Sequence, residues 1–374
     1  MGFFSWFHPA SKKSVLAIDI DSASIGGAYT QVTKGKPPRV YFTARLPIET
    51  STESPSHGDL LRTLQVLLET LVTAGAPVLQ KETGSGSIDQ VLISIGSPWQ
   101  ETTVVAKTLG DNKKSFVFTR EMMELSLKEI AVKEGRVSTG NMVIAMLLNG
   151  YETKHPFGKH AKRADLVVLS STLPKETVSD IEIAVRSTYH TDAISFCAFA
   201  SVAYTVFRDL YPHEKDFLIF DFSGDTTTIV FVKGSILVDV ASLPIGAHRF
   251  LRALHGGGSK GNVVDLTKNA TVGTLLLDAE RAWVDAVSKI LKDFTTRHAL
   301  PRTAFLIGSP EGREVAKKLI NNGTLHALWL SDEPLRVLPV LPSQFSTLIE
   351  TRGSASGDAT LALLALYFKK HFEL

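Results

Sequence analysis

Two stretches of the chain repeat one pattern of apolar and polar positions. Residues 15–20 and 217–222 are apolar runs interrupted near their ends by an aspartate, Asp19 in the first and Asp221 in the second. Small and hydroxyl-bearing residues follow each run, as expected for a buried strand that ends in a turn. Another run with apolar residues comes soon afterwards in both places and predicts the partner strand of a hairpin. The repetition predicts two related halves that face one another.

Helices and further strands alternate with these hairpins. Leucines at helical spacing predict a helix over residues 60–71, and further helices are predicted at about 119–133, 174–188, 276–296 and 357–372. Residues 87–173 predict two strands, a helix and two more strands, which we interpret as an insertion. The predicted domains are an aromatic N-terminal segment at 1–13, a first lobe at 14–86 and 174–213, an inserted small subdomain at 87–173, and a second lobe at 214–374 with a reduced small subdomain at about 247–280.

The composition indicates a folded protein. Of the 374 residues, 44% are hydrophobic and 21% are charged, and the formal net charge of +2 predicts no nucleic-acid partner. Cys197 is the only cysteine, so the chain forms no internal disulfide, which fits a reducing cytoplasm. No apolar stretch approaches the roughly 18 residues of a membrane-spanning helix. The aromatic N-terminal segment predicts contact with a membrane surface or a partner, or packing on the first strand.

The two aspartate-containing strands predict a site for phosphate and a metal ion. Backbone N–H groups in a turn of small residues form a nest that binds anions, and a neighbouring carboxylate can bind Mg²⁺ or orient a water molecule. Asp19 and Asp221 are therefore the predicted metal ligands. The predicted phosphate contacts are the turn residues Asp21, Ser22, Ala23 and Ser24 in the first half, and Ser223, Gly224, Asp225, Thr226 and Thr227 in the second.

With these motifs in this order, the chain resembles the actin-like ATPase superfamily, and within it the branch that contains FtsA and PilM. Residues 217–230 resemble the second phosphate turn of that family, and Leu243-Pro244-Ile245-Gly246 stands where the family has a Pro-Ile-Gly-Gly turn. Residues 305–312 stand where the adenosine-contacting turn belongs, so Gly246, Gly308 and Ser309 join the candidate contacts. The resemblance implies an α/β, two-lobed actin-like (ribonuclease H-like) ATPase fold with a small inserted α+β subdomain, and ATP with Mg²⁺ in the cleft between the lobes.

The chain departs from the family pattern at all three turns. Asp21 stands where Gly or Ser is usual, only Gly224 remains of three glycines, and Ser309-Pro310 replaces glycine in the adenosine turn. Side chains there obstruct close approach of phosphate, and Pro310 has no N–H to donate. Neither motif has a basic residue to balance the four carboxylates that would lie near an anionic nucleotide, which are Asp19, Asp21, Asp221 and Asp225. We therefore expect that the site binds extra metal, that the carboxyl pKa values are raised, or that some of the side chains turn away. We also expect at most weak ATP hydrolysis. The alternative for Asp21 and Asp225 is a role as surface or capping acids.

The resemblance implies a cytoplasmic scaffold, peripheral at the inner face of the cell membrane. In the PilM part of the branch, such a scaffold binds the short cytoplasmic tail of a membrane protein of a type IV pilus machine, in a groove between the first subdomain and the insertion. ATP then acts as a clamp between the lobes. One alternative is an FtsA-like division protein, which self-associates and carries an amphipathic anchor helix that has no counterpart before Leu374. The other is a sugar-kinase-like phosphotransferase, which shares the two phosphate turns.

A basic cluster lies in the loop that joins the last two predicted strands of the insertion. It predicts contact with acidic lipid or an acidic partner, with a solvated loop as the alternative. Its two histidines have no cysteine or carboxylate set at zinc spacing, so no metal site is predicted there. The cluster consists of Lys154, His155, Lys159, His160, Lys162 and Arg163.

Overall fold

The computed structural model describes residues 12–50, 54–254, 270–321, 323–329 and 335–373. Its strands are β1 (Lys12–Ile20), β2 (Ser24–Thr33), β3 (Arg39–Pro47), β4 (Gln90–Ile95), β5 (Glu101–Leu109), β6 (Phe116–Val117), β7 (Arg136–Leu148), β8 (Tyr151–Glu152), β9 (His160–Ala161), β10 (Ala164–Pro174), β11 (Ile194–Ala198), β12 (Phe217–Ser223), β13 (Thr226–Lys233), β14 (Ile236–Leu243), β15 (Thr303–Ile307), β16 (Arg336–Pro339) and β17 (Glu350–Ser354). Its helices are α1 (His57–Thr70), α2 (Ala76–Thr83), α3 (Arg120–Lys128), α4 (Lys175–Tyr189), α5 (Phe199–Leu210), α6 (Ala247–Leu254), α7 (Ala270–Thr295), α8 (Pro310–Ile320), α9 (Gly323–His326) and α10 (Ala359–Glu373). Residues 1–11 of the predicted N-terminal segment and residues 255–269 of the predicted reduced subdomain lie outside the described residues.

The two predicted halves are confirmed as two sheets of matching topology. The first has the strand order β11-β4-β1-β2-β3-β17, and the second has the order β14-β13-β12-β15-β16. In each half the central strand, β1 or β12, pairs antiparallel with the next strand of its hairpin and parallel with a later strand, β4 or β15. Asp19 of β1 and Asp221 of β12 therefore occupy equivalent positions near the ends of the two central strands.

The insertion forms a sheet of its own. Its strand order is β5-β10-β7-β8, and the short pair β6–β9 lies beside a small core around Phe118, Leu166 and Val168. We expected the insertion to begin at residue 87, but β4 pairs with β1 and β11 in the first sheet. The separate sheet thus begins at β5, whereas the domain bounds themselves stay a prediction.

Several helices differ from the prediction in their bounds, and one was not predicted. The leucine-rich helix α1 runs through a π-helical turn, Leu71–Gly75, into α2, where Pro77 lies in the first turn and needs no N–H partner. Gly84 then ends α2 in the left-handed conformation, with φ of 82°. Helix α3 ends at Lys128, short of the predicted residue 133. The turn predicted at residues 308–312 is shorter than expected, because helix α8 begins at Pro310 and runs to Ile320.

The two lobes share one apolar core. Helix α10 packs on α5 and on strands β1 and β2, while Phe207 of α5 stacks on Phe305 of β15 with ring centroids 4.8 Å apart. Cys197 lies in this core, and burial raises the pKa of its thiol, in agreement with the predicted structural role. Within the described residues, no helix is long and apolar enough to cross a membrane.

Candidate functional site

A cleft of about 560 Å³ lies between the two lobes. The turns after β1 and β12, the loop between β15 and α8, and the first residues of α10 all contribute to its walls. Nine of the fourteen predicted site residues line it: Asp19, Asp21, Ala23, Ser24, Asp221, Ser223, Gly224, Gly308 and Ser309. The other five lie outside this lining: Ser22, Asp225, Thr226, Thr227 and Gly246.

The turn after β1 is held by hydrogen bonds among its own residues and by one from Trp99. The Asp21 carboxylate accepts hydrogen bonds from the backbone N–H and the hydroxyl of Ser22. The backbone N–H of Asp21 donates to the carbonyl of Ser24 at 3.0 Å, and Trp99 Nε1 donates to the carbonyl of Asp21 at 3.0 Å. Asp21 therefore takes the donor that a phosphate oxygen would need, so it acts as the capping acid that the sequence left as one alternative.

The two turns also hold one another directly. The backbone N–H of Asp225 donates to the Ser22 hydroxyl at 3.1 Å. Gly224 adopts φ of +26°, and a Cβ at this position would lie 2.3 Å from the Cβ of Ala23. Only glycine fits such a contact, because any side chain would push the turns apart. The two turns are thus in direct contact at Ala23 and Gly224, beside the cleft in which the resemblance implies phosphate.

Two predicted donors of the second turn are committed elsewhere. The Thr226 hydroxyl donates to the carbonyl of Ser97 at 3.1 Å, and the Thr227 hydroxyl donates to the carbonyl of Ile245 at 2.6 Å. Trp283 Nε1 in turn donates to the Thr227 hydroxyl at 2.9 Å. A hydroxyl has one proton, so neither threonine has a donor left for phosphate in this arrangement.

Gly246 supports the second turn from behind. A Cβ at Gly246 would lie 2.1 Å from the carbonyl oxygen of Ser223. The absence of a side chain therefore allows the loop before α6 to pack against the turn backbone. The structure gives Gly246 a packing role, and its predicted nucleotide contact stays a prediction.

Arg45 is the basic residue that the motif analysis missed. It lies on β3, and its guanidinium contacts Asp19 at 2.9 Å and Asp358 at 2.7 Å. The same group donates to the hydroxyls of Ser24, at 2.9 Å, and Thr360. Arg45 thereby neutralises part of the carboxylate cluster and ties β1 and β3 to the start of α10.

The fourth predicted carboxylate, Asp225, turns away to partners on α6. Its Oδ1 lies 3.2 Å from Arg252 Nη2 and 3.6 Å from His248 Nδ1. Asp225 is thus an ion-pair partner of α6, and both its phosphate contact and its alternative role as a surface or capping acid stay predictions.

Burial governs the electrostatics of the remaining carboxylates. Burial raises the pKa of Asp19, although the charge of Arg45 opposes it. Burial and the neighbouring charge of Asp19 raise the pKa of Asp21 to about 6. Burial and the charge of Asp21 raise the pKa of Asp221 to about 8, against the hydrogen bond that Ser223 donates. Raised pKa values, side chains that turn away and a partner cation together resolve the expected charge conflict.

The predicted adenosine turn begins a helix. Ser309 caps α8 by accepting the N–H of Gly312 at 3.0 Å, and Pro310 lies in the first turn, where an N–H is not needed. Pro310 therefore fits the start of a helix, and the expectation that its missing N–H weakens phosphate binding stays a prediction. Gly308 remains constrained, since its φ is +152° and a Cβ would lie 2.6 Å from the carbonyl oxygen of Phe222.

The two ends of the cleft differ in how well they fit a nucleotide. Near Gly308, the apolar residues Val340 and Pro342 line a space that suits a nucleoside. At the two turns, the N–H of Ser22 and the guanidinium of Arg45 already have protein partners. The described residues hold no group of three or more His, Cys, Asp or Glu that could bind a metal ion. Mg²⁺ at Asp19 and Asp221 stays a prediction.

Solved structures share this architecture across nearly the whole chain. A PilM–PilN type IV pilus biogenesis complex matches with a TM-score of 0.61 and 14% sequence identity, over 96% of this chain and 98% of that chain. The chain has the actin-like ATPase fold. A protein of unknown function from Bacteroides thetaiotaomicron, also with an actin-like ATPase fold, matches with a TM-score of 0.46 and 12% identity over 96% of each chain. The ethanolamine utilization protein EutJ from Carboxydothermus hydrogenoformans matches with a TM-score of 0.43 and 12% identity, over 96% of this chain and 90% of that one. No family model and no curated protein matches the sequence.

This actin-like fold has a second concave surface, which we call the insertion groove. It measures about 450 Å³ and lies between the insertion and the first lobe. Strands β7 and β10 form one wall, and β11, α5 and α10 form the other. Apolar side chains line it together with the basic residues of α5 and α10: Met142, Leu169, Phe196, Tyr367, Arg208, Lys370 and His371.

Proposed function

We propose that this protein is an actin-fold scaffold that binds the cytoplasmic segment of a membrane-protein partner at the inner face of the membrane. The observation that carries the proposal is the insertion groove, which lies between the first lobe and the insertion, where the resemblance implies a peptide site. The likeness in fold to a chain of a PilM–PilN type IV pilus biogenesis complex supports it. The pilus machine is the proposed setting.

The chemistry of the groove suits a short peptide with apolar and acidic side chains. Met142 supplies apolar surface on one wall, and Phe196 supplies it on the other wall, where Arg208 and Lys370 add positive charge. Lys370 already contacts Asp209 at 2.5 Å, so a peptide carboxylate would compete with that pair. A few apolar anchors with a flanking charge pair are the usual basis of peptide recognition.

Peptide binding can be tested directly on the full chain. An array of peptides covering the cytoplasmic tails of the host's single-span membrane proteins would be probed first, and the best peptide titrated by calorimetry. Met142→Lys places a charge in the apolar part of the groove and is expected to weaken binding at least tenfold. Ser138→Lys, on an exposed position of the same strand, is the matched control and should bind normally.

Two outcomes would overturn the groove assignment. One is an array on which no tail binds. The other is a peptide that binds both variants equally, with thermal unfolding showing that Met142→Lys is folded.

The cleft serves in this proposal as a joint between the lobes, with little role for the phosphates of a nucleotide. Its turns are bridged by the Ser22–Asp225 bond and by the packing of Gly224, so closure needs no phosphate. We therefore expect adenosine and ATP to bind with similar affinity and without dependence on Mg²⁺. Calorimetric titration of adenosine, AMP, ADP and ATP, each with and without Mg²⁺, checks this expectation.

A strong preference for the triphosphate would contradict the joint. The critical result is ATP with Mg²⁺ binding more than about 100-fold tighter than adenosine, with the preference lost in Asp221→Asn. The FtsA-like and sugar-kinase-like alternatives stay predictions, because no contact in the described residues favours either.

A further inference from the structure

The far end of the insertion carries exposed basic and aromatic side chains that neither the cleft nor the groove uses. We call residues 110–117 and 149–163 the tip. Their formal charge is +4, while the whole chain has +2, so the rest of the chain is net negative. The six basic residues and two acidic residues of the tip are Lys113, Lys114, Lys154, Lys159, Lys162 and Arg163, with Asp111 and Glu152.

Hydrogen bonds join the segments of the tip into one surface. The Asn149 side-chain oxygen accepts the N–H groups of Lys162, at 2.8 Å, and Arg163, at 3.3 Å. The N–H of Asn112 donates to the carbonyl of Lys162 at 3.2 Å. Strands β6 and β9 pair beside these contacts. The basic residues therefore come from separate segments but share one end of the subdomain.

Apolar side chains stand among these charges. Tyr151, next to the turn between β7 and β8, is 80% exposed, and Val117 and Phe157 are 41% and 38% exposed. The Phe157 ring stacks on the buried Phe118, with centroids 5.9 Å apart, and Arg120 lies 5.2 Å from its centroid. These contacts fix the Phe157 ring, which remains partly exposed. Exposed aromatic rings beside lysines are typical of surfaces that enter the headgroup layer of a bilayer.

We propose that the tip binds an anionic lipid surface. Basic residues distributed over several segments match a plane of negative charge better than the single acidic segment of a protein partner. Each basic residue near such a surface strengthens binding about fivefold at moderate ionic strength, and an inserted tyrosine adds an apolar contribution. This surface is separate from the insertion groove, and its function goes beyond the peptide binding proposed above.

Sedimentation with lipid vesicles tests the proposal on the full chain. Vesicles of phosphatidylcholine alone are compared with vesicles that contain 30% phosphatidylglycerol, at about 0.1 M salt. The variant K113Q/K154Q/K162Q removes three tip charges and should weaken binding to the anionic vesicles about 100-fold. Y151S should weaken it by a smaller factor. The matched control K34Q/K317Q/K318Q removes the same charge from exposed positions elsewhere.

The outcomes separate the lipid from other sources of binding. Anionic vesicles that retain the protein and the control, but release the tip variants, support the proposal. The proposal would be overturned if the control and the tip variants lost binding to the anionic vesicles equally, or if neither lost it. Binding of the protein to neutral vesicles only would overturn it as well. It would also be overturned if poly-glutamate bound the tip and vesicles did not. Because the tip variants leave the groove intact, the tail peptide should bind them normally, so failure here is distinguishable from failure of the proposed function.

Discussion

The ion pair network of Arg45 offers the sharpest test of how the cleft is held. Arg45→Met keeps the apolar stem but removes the charge that faces Asp19 and Asp358. The Asp19 side chain is only 4% exposed and that of Arg45 is 28% exposed. Breaking a buried pair by removing one partner typically costs 3–5 kcal/mol, and the partial exposure of Arg45 places the expected loss near the lower end, at about 3 kcal/mol.

A matched control lies on the same strand. Arg39 contacts Glu350 at 2.8 Å, but the two side chains are 41% and 37% exposed. Arg39→Met is therefore expected to cost much less than Arg45→Met, because an exposed ion pair contributes little to stability. Both variants would be compared with the unaltered chain by urea unfolding, followed by circular dichroism.

The pH dependence gives a second readout of the same variant. Burial raises the pKa of Asp19, and loss of Arg45 raises it further, because the opposing charge is gone. A carboxyl group whose pKa is higher in the folded than in the unfolded protein destabilises the folded state at pH values above its folded pKa. This destabilisation is absent at pH values below its unfolded pKa. The loss caused by Arg45→Met should therefore shrink between pH 8 and pH 4. The reasoning is refuted if Arg45→Met costs no more than Arg39→Met, or if its cost is the same at both pH values.

Two other substitutions test the turns. Asp221→Asn is expected to stabilise the protein at pH 8, by up to several kcal/mol, and to change little at pH 4, because a carboxyl with a raised pKa disfavours the native state as it loses its proton. Urea unfolding at both pH values measures the difference, and an equal gain at pH 4 would contradict it. Gly246→Ala places a Cβ 2.1 Å from the Ser223 carbonyl oxygen and should cost several kcal/mol of stability or prevent folding. Gly140→Ala is the control and should change the melting temperature little, because no atom lies within 4 Å of the added Cβ. Similar melting temperatures for the two variants would contradict the packing role of Gly246.

Much of the fold follows from local patterns, and the exceptions have a common cause. The hairpins around Asp19 and Asp221 are read from consecutive apolar runs, because both strands of a hairpin are close in sequence. The assignment of β4 to the first sheet depends on parallel pairing with β1, about 75 residues earlier, which periodicity cannot indicate. The start of α8 is different, since Ser309 followed by Pro310 is a recognisable helix-start signal that the interpretation as a loop passed over.

The sequence predicts that the carboxylates of Asp19 and Asp221 lie in one cleft, but it does not predict their hydrogen bonds and ion pairs. The sequence brings the carboxylates of Asp19 and Asp221 to one cleft because equivalent strand ends face each other. A local sequence motif cannot reveal the role of Arg45, because its partners Asp19 and Asp358 are 26 and 313 residues away in the chain. The bond between Ser22 and Asp225 spans 203 residues and is equally invisible to a motif. Contacts between the two halves are set by tertiary packing.

The edge of the first sheet has a consequence for the order in which the chain folds. Strand β17 pairs with β3 across more than 300 residues, and α10 covers β1 and β2 of the same sheet. During synthesis, the first half therefore emerges with an unpaired edge and an uncovered apolar face, which stay so until β17 and α10 have left the ribosome. Such long-range closure predicts slow folding and a period of exposure to aggregation, during which a chaperone would have its main opportunity to bind.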